Sequence, residues 1–497
     1  MKYIFLLCLF SANLIFSQSI DDSISLKTMQ KDLSVFKSIR HNVNSGLYKY
    51  RSKEQIDSIY KWAENKIKKT STYRDFFNII SKLTDYEGSC HNSTLLPNKM
   101  WDYLKNEKYG YFPYPIISIE GKWIINYQNG NIPLGSEIIS INKKPISQII
   151  NEIQIYSSTD GINKTGKKND IKSKFYKYYR YYYGLQKNFE VDYIEKDFSE
   201  VKTISINSVS FIKAYKNKEK KYGKSFPNKT NHKYEYNKIN SKTGKLTINS
   251  FDIGIDEQSK EHKKYRVFLD SVFNKIKLEK VTNLIIDVRG NAGGSDPNDL
   301  VTYSYLTQRS FKENKEAFIN FEKIPLIKYY NIKIPKFIRP LVVGKHNQNI
   351  QKIFPEKKNG KYYQKSNSDY NKIRKPNKNA FDGGIYLLIN SETASAASLF
   401  AAMVTGNKNS KVIGEESVGG YYGHNGHTEM EYKLPKSKIV TKFFIVNLKQ
   451  DVPKKENQFY NRGIIPDYIV NQNYKDFIKH EDTQLDFTMK YIENNTK

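Results

Sequence analysis

The chain has 497 residues, and its 81 basic residues against 51 acidic residues give a formal net charge of +30. A chain of this length accommodates about three domains. So basic a balance, with 39 tyrosines, would suit nucleic-acid binding, but the lysines are spread along the whole chain and no nucleic-acid-binding motif is recognisable. We therefore predict no specific nucleic-acid partner, and a positive surface that favours acidic substrates or an anionic envelope surface.

The N-terminus predicts export. A short basic start is followed by a hydrophobic run over residues 4–16 and by the small residue Ser17. This pattern is typical of a secretory signal peptide over residues 1–17, and it is too short for a comfortable membrane span. Its removal would leave Cys90 as the only cysteine, so the mature protein could form no internal disulfide. We expect a soluble protein of the periplasm or the extracellular space.

Residues 18–109 carry the periodicity of helices. Apolar side chains recur three or four residues apart at Ile56, Tyr60 and Ala63. This pattern predicts an N-terminal helical region, and a loop near its end contains His91. A lone histidine before a loop is ordinarily a surface or capping residue, but an imidazole titrates near neutrality and can also act as a general base.

From residue 110 the pattern changes to short strands. Residues 110–205 alternate apolar and polar side chains, which predicts a β-rich module. Residues 206–243 are rich in Lys and Asn and are predicted to be a polar linker or flexible insert. Residues 310–380 are basic and irregular, which suggests a lid-like insert or substrate wall. Residues 476–497 are predicted to be a C-terminal helix.

An apolar strand ending in a glycine-rich loop occupies residues 284–294. Gly290, Gly293 and Gly294 lie within five residues and let the backbone approach a ligand closely. Successive N–H groups in such a loop form an anion-binding nest, which an oxyanion hole requires. The loop lacks the Gly-Lys-Ser/Thr ending of a phosphate loop and the glycine spacing of a dinucleotide site. It could also be a plain turn between a strand and a helix.

The most informative segment joins an apolar strand over residues 385–389 to an Ala-rich helix over residues 394–403. Ser395 lies on this turn. At a helix N-terminus, free N–H groups and the helix dipole favour developing negative charge, which suits an acyl-transfer nucleophile. The alternative is that Thr393 or Ser395 only caps the helix.

His424 and His427 lie in a loop rich in Gly and Tyr. Their spacing is not that of two helical zinc ligands, and no nearby carboxylate or cysteine completes a zinc set. We therefore predict no metal and no organic cofactor. Both histidines could be surface residues, and either is the fallback base if His91 is not the base.

Four segments together resemble the tail-specific (C-terminal-processing) serine peptidases and their tricorn-like relatives. In that family a strand ending in Asp-x-Arg-x-Asn-x-Gly-Gly precedes a Thr-x-Ser-Ala turn, a Gly-Glu-x-Thr/Ser-x-Gly segment and a closing Gly-Ile-x-Pro-Asp. The corresponding segments here begin at Asp287, Thr393, Gly414 and Gly463. The order and spacing of the four motifs make the resemblance specific over about residues 240–475.

The resemblance implies an α/β fold. A crotonase-like catalytic core of repeated ββα units would cover residues 244–475, after the N-terminal helical region and a PDZ-like β-rich module. The stretch over residues 132–142 is similar to part of a PDZ module, which binds peptides by adding a strand at a sheet edge. Lys143 stands where the turn glycine is usual, so peptide binding by this module is left open.

The resemblance also implies the site residues. Ser395 would be the nucleophile, and the amides of Ala396 and Gly293, with Ala292 as neighbour, would hold the oxyanion. The processing branch of the family has a lysine base just after the Gly-Glu-x-Thr-x-Gly segment. This chain has Gly420 at that position, so no lysine can act as base there.

Without that lysine the chain is similar to the tricorn-like branch, whose base is a histidine in the N-terminal helical region supported by a distant glutamate. His91 is then the expected base. Glu456, shortly before Gly463, is the expected third member, and Glu416 is its alternative. Activity should rise with pH through an ordinary histidine pKa of around 6–7.

The sequence thus predicts an exported serine endopeptidase that hydrolyses peptide bonds through an acyl-enzyme, with a peptide or protein as its substrate. The missing lysine leaves an alternative open. In that alternative the chain is a catalytically inactive protein of the same fold, which holds peptides or lipophilic ligands in its cleft.

Overall fold

The computed structural model describes residues 19–227, 232–295, 297–335, 337–368 and 371–495. The predicted signal peptide lies outside the described residues. The fold is mixed α/β, and its described strands form three six-stranded sheets. In the described ranges, no helix combines the length and the apolar character needed to cross a bilayer.

Four helices and one short strand form the N-terminal region. Three of the helices begin at side-chain caps, because the hydroxyls of Ser25, Ser52 and Thr72 accept from the amides of Thr28, Gln55 and Asp75. Apolar side chains of these helices pack into one core cluster. The elements are α1 (Leu26–Val43), α2 (Lys53–Lys66), α3 (Tyr73–Tyr86), β1 (Ser93–Leu95) and α4 (Asn98–Asn106).

The predicted β-rich module contains an antiparallel sheet and two helices. Its elements are β2 (Ile116–Ile119), β3 (Lys122–Ile125), β4 (Glu137–Ile141), β5 (Lys144–Pro145), α5 (Ile146–Ile153), α6 (Thr165–Tyr183), β6 (Asn188–Ile194) and β7 (Val201–Asn207). The strand order is β2-β3-β4-β6-β7, with β5 beside β4. Phe189 and Val191 of β6 are buried while their neighbours along the strand face outward, because one face of the sheet packs against helices. The PDZ-like character of this module stays a prediction.

The segment predicted as a polar linker, residues 206–243, contains regular elements instead. These are α7 (Phe211–Glu219) and β8 (Tyr234–Lys238). The Phe211 ring lies 5.2 Å from that of Trp101, and the Asn217 side chain donates to the Pro113 carbonyl at 2.9 Å. The linker prediction is wrong because it relied on polar composition. α7 is short and β8 is an edge strand, so both leave many side chains in solvent and need polar residues there.

The remaining elements build the C-terminal half. They are β9 (Thr243–Ile248), α8 (Lys260–Leu278), β10 (Asn283–Asp287), α9 (Asn298–Ser304), β11 (Asn314–Ile319), α10 (Arg339–Ile353), β12 (Glu356–Lys358), β13 (Lys361–Tyr363), β14 (Gly384–Ile389), α11 (Ala396–Thr405), β15 (Ser410–Gly414), β16 (Asn425–Lys433), β17 (Val440–Gln450), β18 (Tyr468–Ile469), α12 (Tyr474–Lys479) and α13 (Thr483–Asn495).

The central sheet has the order β18-β15-β14-β10-β9-β8, and every neighbouring pair is parallel except β8 with β9. Ile286 of β10 belongs to a core cluster on one face of this sheet, and Ile285 belongs to a second cluster on the other face. Because both faces are covered, the central strands are continuous apolar runs in the sequence. The repeated ββα units of a crotonase-like core stay a prediction.

A further sheet joins the N-terminal region to the C-terminal half. Its order is β1-β17-β11-β13-β12, and β16 also pairs with β17. Ser93 of β1 pairs with Lys442 of β17, and Asn425 of β16 pairs with Asn447 of β17. The loops that precede β1 and β16 therefore meet beside β17.

The same sheet corrects the prediction of a lid-like insert over residues 310–380. β11, β12 and β13 belong to it, and Ala317 of β11 pairs with Leu448 of β17. The strands are short and lysine-rich, so their alternation was too brief to show in the sequence.

Candidate active site

Ser395 occupies the turn between β14 and α11 in a conformation that residues other than glycine rarely adopt. Its φ is 54° and its ψ is −132°, which costs about 1–3 kcal/mol and persists only where the surroundings hold it. The side chain makes no capping hydrogen bond to α11, and the Thr393 hydroxyl donates to the Val288 carbonyl at 3.2 Å. Ser395 occupies the N-cap position of α11, but neither side chain caps the helix with a hydrogen bond, so the capping alternative is wrong.

Two backbone hydrogen bonds hold the serine turn between the other motifs. The Ala394 amide donates to the Asn291 carbonyl at 3.2 Å, and the Val418 amide donates to the Thr393 carbonyl at 2.9 Å. Asn291 is itself buried, and its side chain donates to the Ile248 carbonyl at 3.0 Å. The structure thus brings together three motifs that lie far apart in the sequence.

Gly293 packs directly against the serine turn. Its φ is +106°, and a Cβ at this position would lie 2.7 Å from the Ser395 Cβ and 3.0 Å from the Ala396 nitrogen. The Gly293 amide donates to Asn291 Oδ1 at 2.9 Å. This corrects the prediction of an oxyanion donor at Gly293, because the amide is used within its own loop. Among the described residues, the amides of Ala396 and Ala292 donate no hydrogen bond.

The charged pair of the first motif is structural. Arg289 donates to Asp287 from Nε at 2.9 Å and from Nη2 at 2.7 Å, and it donates to Asp482 at 2.7 and 2.8 Å. Burial alone would lower the pKa of Arg289, but the two carboxylates beside it raise that pKa above its ordinary value. Arg289 thus joins Asp287, at the end of β10, to Asp482, just before α13. These bonds fix the start of the glycine loop.

His91 and His424 lie side by side where the loops before β1 and β16 meet. Their ring centroids are 5.0 Å apart, and the His91 ring lies 4.3 Å from that of Phe444. Burial lowers the pKa of His91 from 6.5 to about 4, a hydrogen bond between its ring and the Asn425 carbonyl opposes this shift, and the neighbouring His427 adds to it. His91 is therefore neutral at physiological pH.

His424 lies deeper than His91 and approaches the helix that carries Ser395. It is 1% exposed, burial lowers its pKa well below 6.5, and its Nδ1 has no hydrogen-bond partner in the described part of the chain. A Cβ at Gly419 would lie 3.7 Å from this nitrogen and 2.1 Å from Ser398 Oγ. Ser398 Oγ in turn donates to the Ser395 carbonyl at 2.7 Å.

No hydrogen bond among the described residues joins Ser395 Oγ to a histidine ring. The histidines and the serine are connected instead by packing, from His91 to His424 and across Gly419 to Ser398. The third histidine of the region, His427, is half-buried and lies at a β-bulge of β16 with φ 58°.

A buried aspartate that no sequence motif singled out connects the His91 loop to the glycine pair after the third motif. Asp160 accepts from the Cys90 amide at 3.0 Å and from the Gly420 amide at 2.9 Å. Burial raises the pKa of Asp160 to about 6, against the lowering effect of these two amides and of Lys49. The only sequence signal was the dipeptide Asp160-Gly161, which is typical of any turn.

Lys49 is the second residue that sequence reasoning missed. Its Nζ donates to the Leu448 carbonyl at 2.6 Å and to Asn447 Oδ1 at 3.0 Å, and burial lowers its pKa to about 8. Its charge contributes to the lowered pKa of His424. Lys49 lies in the loop between α1 and α2, which carries no recognisable motif.

The predicted third catalytic residue does not reach the histidines. Glu456 is exposed and, within the described ranges, forms no hydrogen bond or ion pair. Its alternative, Glu416, accepts from the Arg462 guanidinium at 2.8 and 2.6 Å and from the Gly463 amide at 2.9 Å. Glu416 therefore holds the closing motif in place through these hydrogen bonds. The group that orients His91 is the Asn425 carbonyl.

A cavity of about 780 Å³ opens at the carboxyl ends of the parallel strands. Its walls include Asn249, Ser391 and Glu415, which follow β9, β14 and β15. Ligands of open α/β sheets commonly bind at such ends. Neither Ser395 nor His91 lines the cavity, so the cavity is separate from the proposed nucleophile and base.

The family model of peptidase family S41 matches residues 242–470. Residues 242–470 belong to peptidase family S41. This S41 part contains Ser395 and all four motifs, whereas His91 precedes it. The family of this S41 part indicates a serine-type peptidase, a hydrolase that acts on peptides or proteins.

Solved structures extend the likeness beyond the S41 part. Mature CPAF complexed with lactacystin matches with a TM-score of 0.61 at 11% identity, covering 94% of this chain and 97% of that chain. A CPAF mutant matches with a TM-score of 0.63 at 11% identity, covering 95% and 98%. At this identity the likeness shows a shared fold. No curated protein sequence matches the chain.

Proposed function

We propose that this S41 protein is an exported serine endopeptidase in which Ser395 is the nucleophile and His91 the general base. The backbone of Ser395 is the observation that carries the proposal. A serine held at φ 54°, with a hydroxyl that is not used for capping, stores strain at the position where a strand-to-helix turn presents a nucleophile. Export rests on the signal-peptide pattern of residues 1–17.

The surroundings of His91 suit a neutral base. Its lowered pKa keeps the ring uncharged, and the hydrogen bond to the Asn425 carbonyl holds the ring proton on the nitrogen that faces this carbonyl. Nδ1 also lies 3.4 Å from Cys90 Sγ. In the proposed mechanism, the ring nitrogen that does not donate to the carbonyl accepts the Ser395 proton once substrate has brought the two side chains together. The Asn425 carbonyl takes the orienting role that a carboxylate has in most serine triads.

The reaction follows from these roles. Ser395 Oγ attacks the peptide carbonyl carbon while His91 takes the hydroxyl proton, and the oxyanion forms near the free amide of Ala396 at the positive end of α11. His91 then gives the proton to the leaving amine as the C–N bond breaks. Water hydrolyses the resulting acyl-enzyme with His91 again as the base.

The missing hydrogen bond between Ser395 and His91 is compatible with this mechanism. Catalytic hydrogen bonds are often long in substrate-free enzymes and shorten when substrate binds. His424 and Gly419 pack between His91 and Ser398 of α11, so this packing has to rearrange when substrate brings His91 to Ser395.

A fluorophosphonate probe tests the proposal directly, because it reacts with an activated serine and not with an ordinary hydroxyl. The mature protein should be labelled and the Ser395→Ala variant should not. A folded protein that resists labelling yet binds peptides or lipophilic ligands would support the inactive binder instead.

Replacing Gly293 with alanine is expected to lower peptide turnover by roughly 10²–10³, because the new Cβ would push Ser395 and Ala396 out of position. Gly290→Ala is the matched control. Gly290 lies in the same loop at φ +73°, but a Cβ there would meet only Glu392 Oε2, at 3.5 Å. Equal turnover of the two folded variants, measured with their melting temperatures, would show that the loop is only a turn.

The pH dependence should differ from the one expected of an ordinary histidine. The value of kcat/KM should fall only as the pH approaches about 4, the lowered pKa of half-buried His91, rather than at pH 6–7. Because the folded protein disfavours the charged His91 ring, the free energy of unfolding is highest above pH 6.5. It should decrease by up to about 3 kcal/mol as the pH falls toward 4. Rates should therefore be recorded with circular dichroism, and a midpoint near 6.5 in the folded protein would contradict the assignment.

A further inference from the structure

The N-terminal end of α10 carries an exposed apolar cluster. Phe337 is 83% exposed and Leu341 is 77% exposed, and the half-buried Ile338 and the exposed Pro340 lie between them in the sequence. We call these four residues the apolar tip. Large apolar side chains that are exposed close together are typical of a surface that binds a partner or a membrane.

The apolar tip rests on a fixed support. Val343 and Ile350 on the opposite side of α10 are buried, and the Arg339 guanidinium donates to the Ile327 carbonyl at 2.7 Å and also to the Tyr330 carbonyl. The Tyr330 ring lies 5.5 Å from that of Tyr432 in the sheet. The apolar tip is therefore exposed although the helix that carries it is packed in place.

The sequence segment that carries the apolar tip is basic. Between Glu322 and Glu356 the sequence has seven lysines and arginines and no acidic residue. Lys345 and Lys352 lie on the exposed face of α10 below Leu341. Two acidic groups face this region from other elements. Glu431 accepts from the Asn331 side chain at 3.1 Å, and Glu322 accepts from Gln351, near the C-terminal end of α10, at 3.3 Å.

We propose that the apolar tip docks this protein on an anionic lipid surface. Phe337 and Leu341 would enter the boundary between headgroups and acyl chains, while the surrounding cations would lie at the level of the phosphates. Apolar anchors flanked by lysines and arginines are the combination that binds such interfaces. The docking is independent of the peptidase chemistry, because the tip contains none of the residues assigned to it.

Sedimentation with lipid vesicles tests the docking. The mature protein should sediment with vesicles of equal parts phosphatidylcholine and phosphatidylglycerol and not with phosphatidylcholine alone, and added salt should weaken the binding. The Phe337→Ser/Leu341→Ser variant should bind the anionic vesicles roughly tenfold less tightly or worse. These side chains are exposed, so the fold should not change.

The matched control is Val267→Ser/Leu278→Ser on α8, where the two side chains are 69% and 83% exposed. This control should bind anionic vesicles as the unmodified protein does. Equal binding by both double variants would show that the basic net charge of the protein acts alone, and would overturn the proposal. Absence of vesicle binding would overturn it, as would a tip-dependent self-association or a tip-dependent affinity for acidic protein without lipid.

Discussion

Ser395→Ala is expected to reduce peptide turnover by roughly 10⁴–10⁶-fold, the usual effect of removing a nucleophile. Folding should be unaffected, because the hydroxyl caps no helix and forms no hydrogen bond within the described ranges. Turnover of an unstructured protein such as casein, measured beside thermal unfolding, gives both quantities. Loss of the strained serine side chain should leave the melting temperature within a few degrees of the parent value.

Ser398→Ala is the matched control for the nucleophile. Ser398 lies one turn further along α11, is buried, and donates to the Ser395 carbonyl at 2.7 Å. Losing this bond should cost about 0.5–1.5 kcal/mol of stability and only a small part of the turnover. Wild-type turnover in Ser395→Ala, or an equal loss in Ser398→Ala, would remove Ser395 from the nucleophile's role.

His91→Ala is expected to lower turnover nearly as far as Ser395→Ala, because nucleophile and base act as one unit. The double variant should therefore lose little more than either single variant. The measurement is kcat of the three purified proteins with the same peptide substrate. Additive losses in the double variant would contradict a shared role.

His424→Ala separates the two neighbouring rings. His424 lies 5.0 Å from His91 but is almost fully buried, and its pKa lies well below 6.5. Its loss should leave a cavity and reduce stability, while most of the turnover per folded molecule remains. If His424→Ala abolishes turnover and His91→Ala does not, the base is His424.

The central strands and the serine turn could be predicted because their signals are local. The run over residues 385–389 is apolar since both faces of β14 are covered, and the helix that follows begins at Ala396. Both predictions are confirmed within two residues. The α/β fold and the S41 family are confirmed as well, whereas the catalytic roles of Ser395 and His91 stay predictions.

The elements between these strands were missed for the opposite reason. α7 and β8 expose much of their surface, and β11 is stabilised by pairing with β17, more than 100 residues further along the chain in sequence. The composition of a segment indicates whether its own side chains can form a buried core. An edge strand or a short surface helix is instead stabilised by packing or pairing with another part of the chain. The linker and the lid-like insert were therefore predicted where structured elements lie.

The sequence by itself determined the family motifs, the turn that holds Ser395 and the absence of a lysine at Gly420, because each is a property of adjacent residues. Only the tertiary structure decided what surrounds His91. The pairing of β1 and β16 with β17 sets the Asn425 carbonyl against its ring. Glu456 lies in a separate loop and is exposed to solvent. Burial then lowers the pKa of His91 to about 4, which no residue type specifies, since desolvation depends on the atoms packed around the ring.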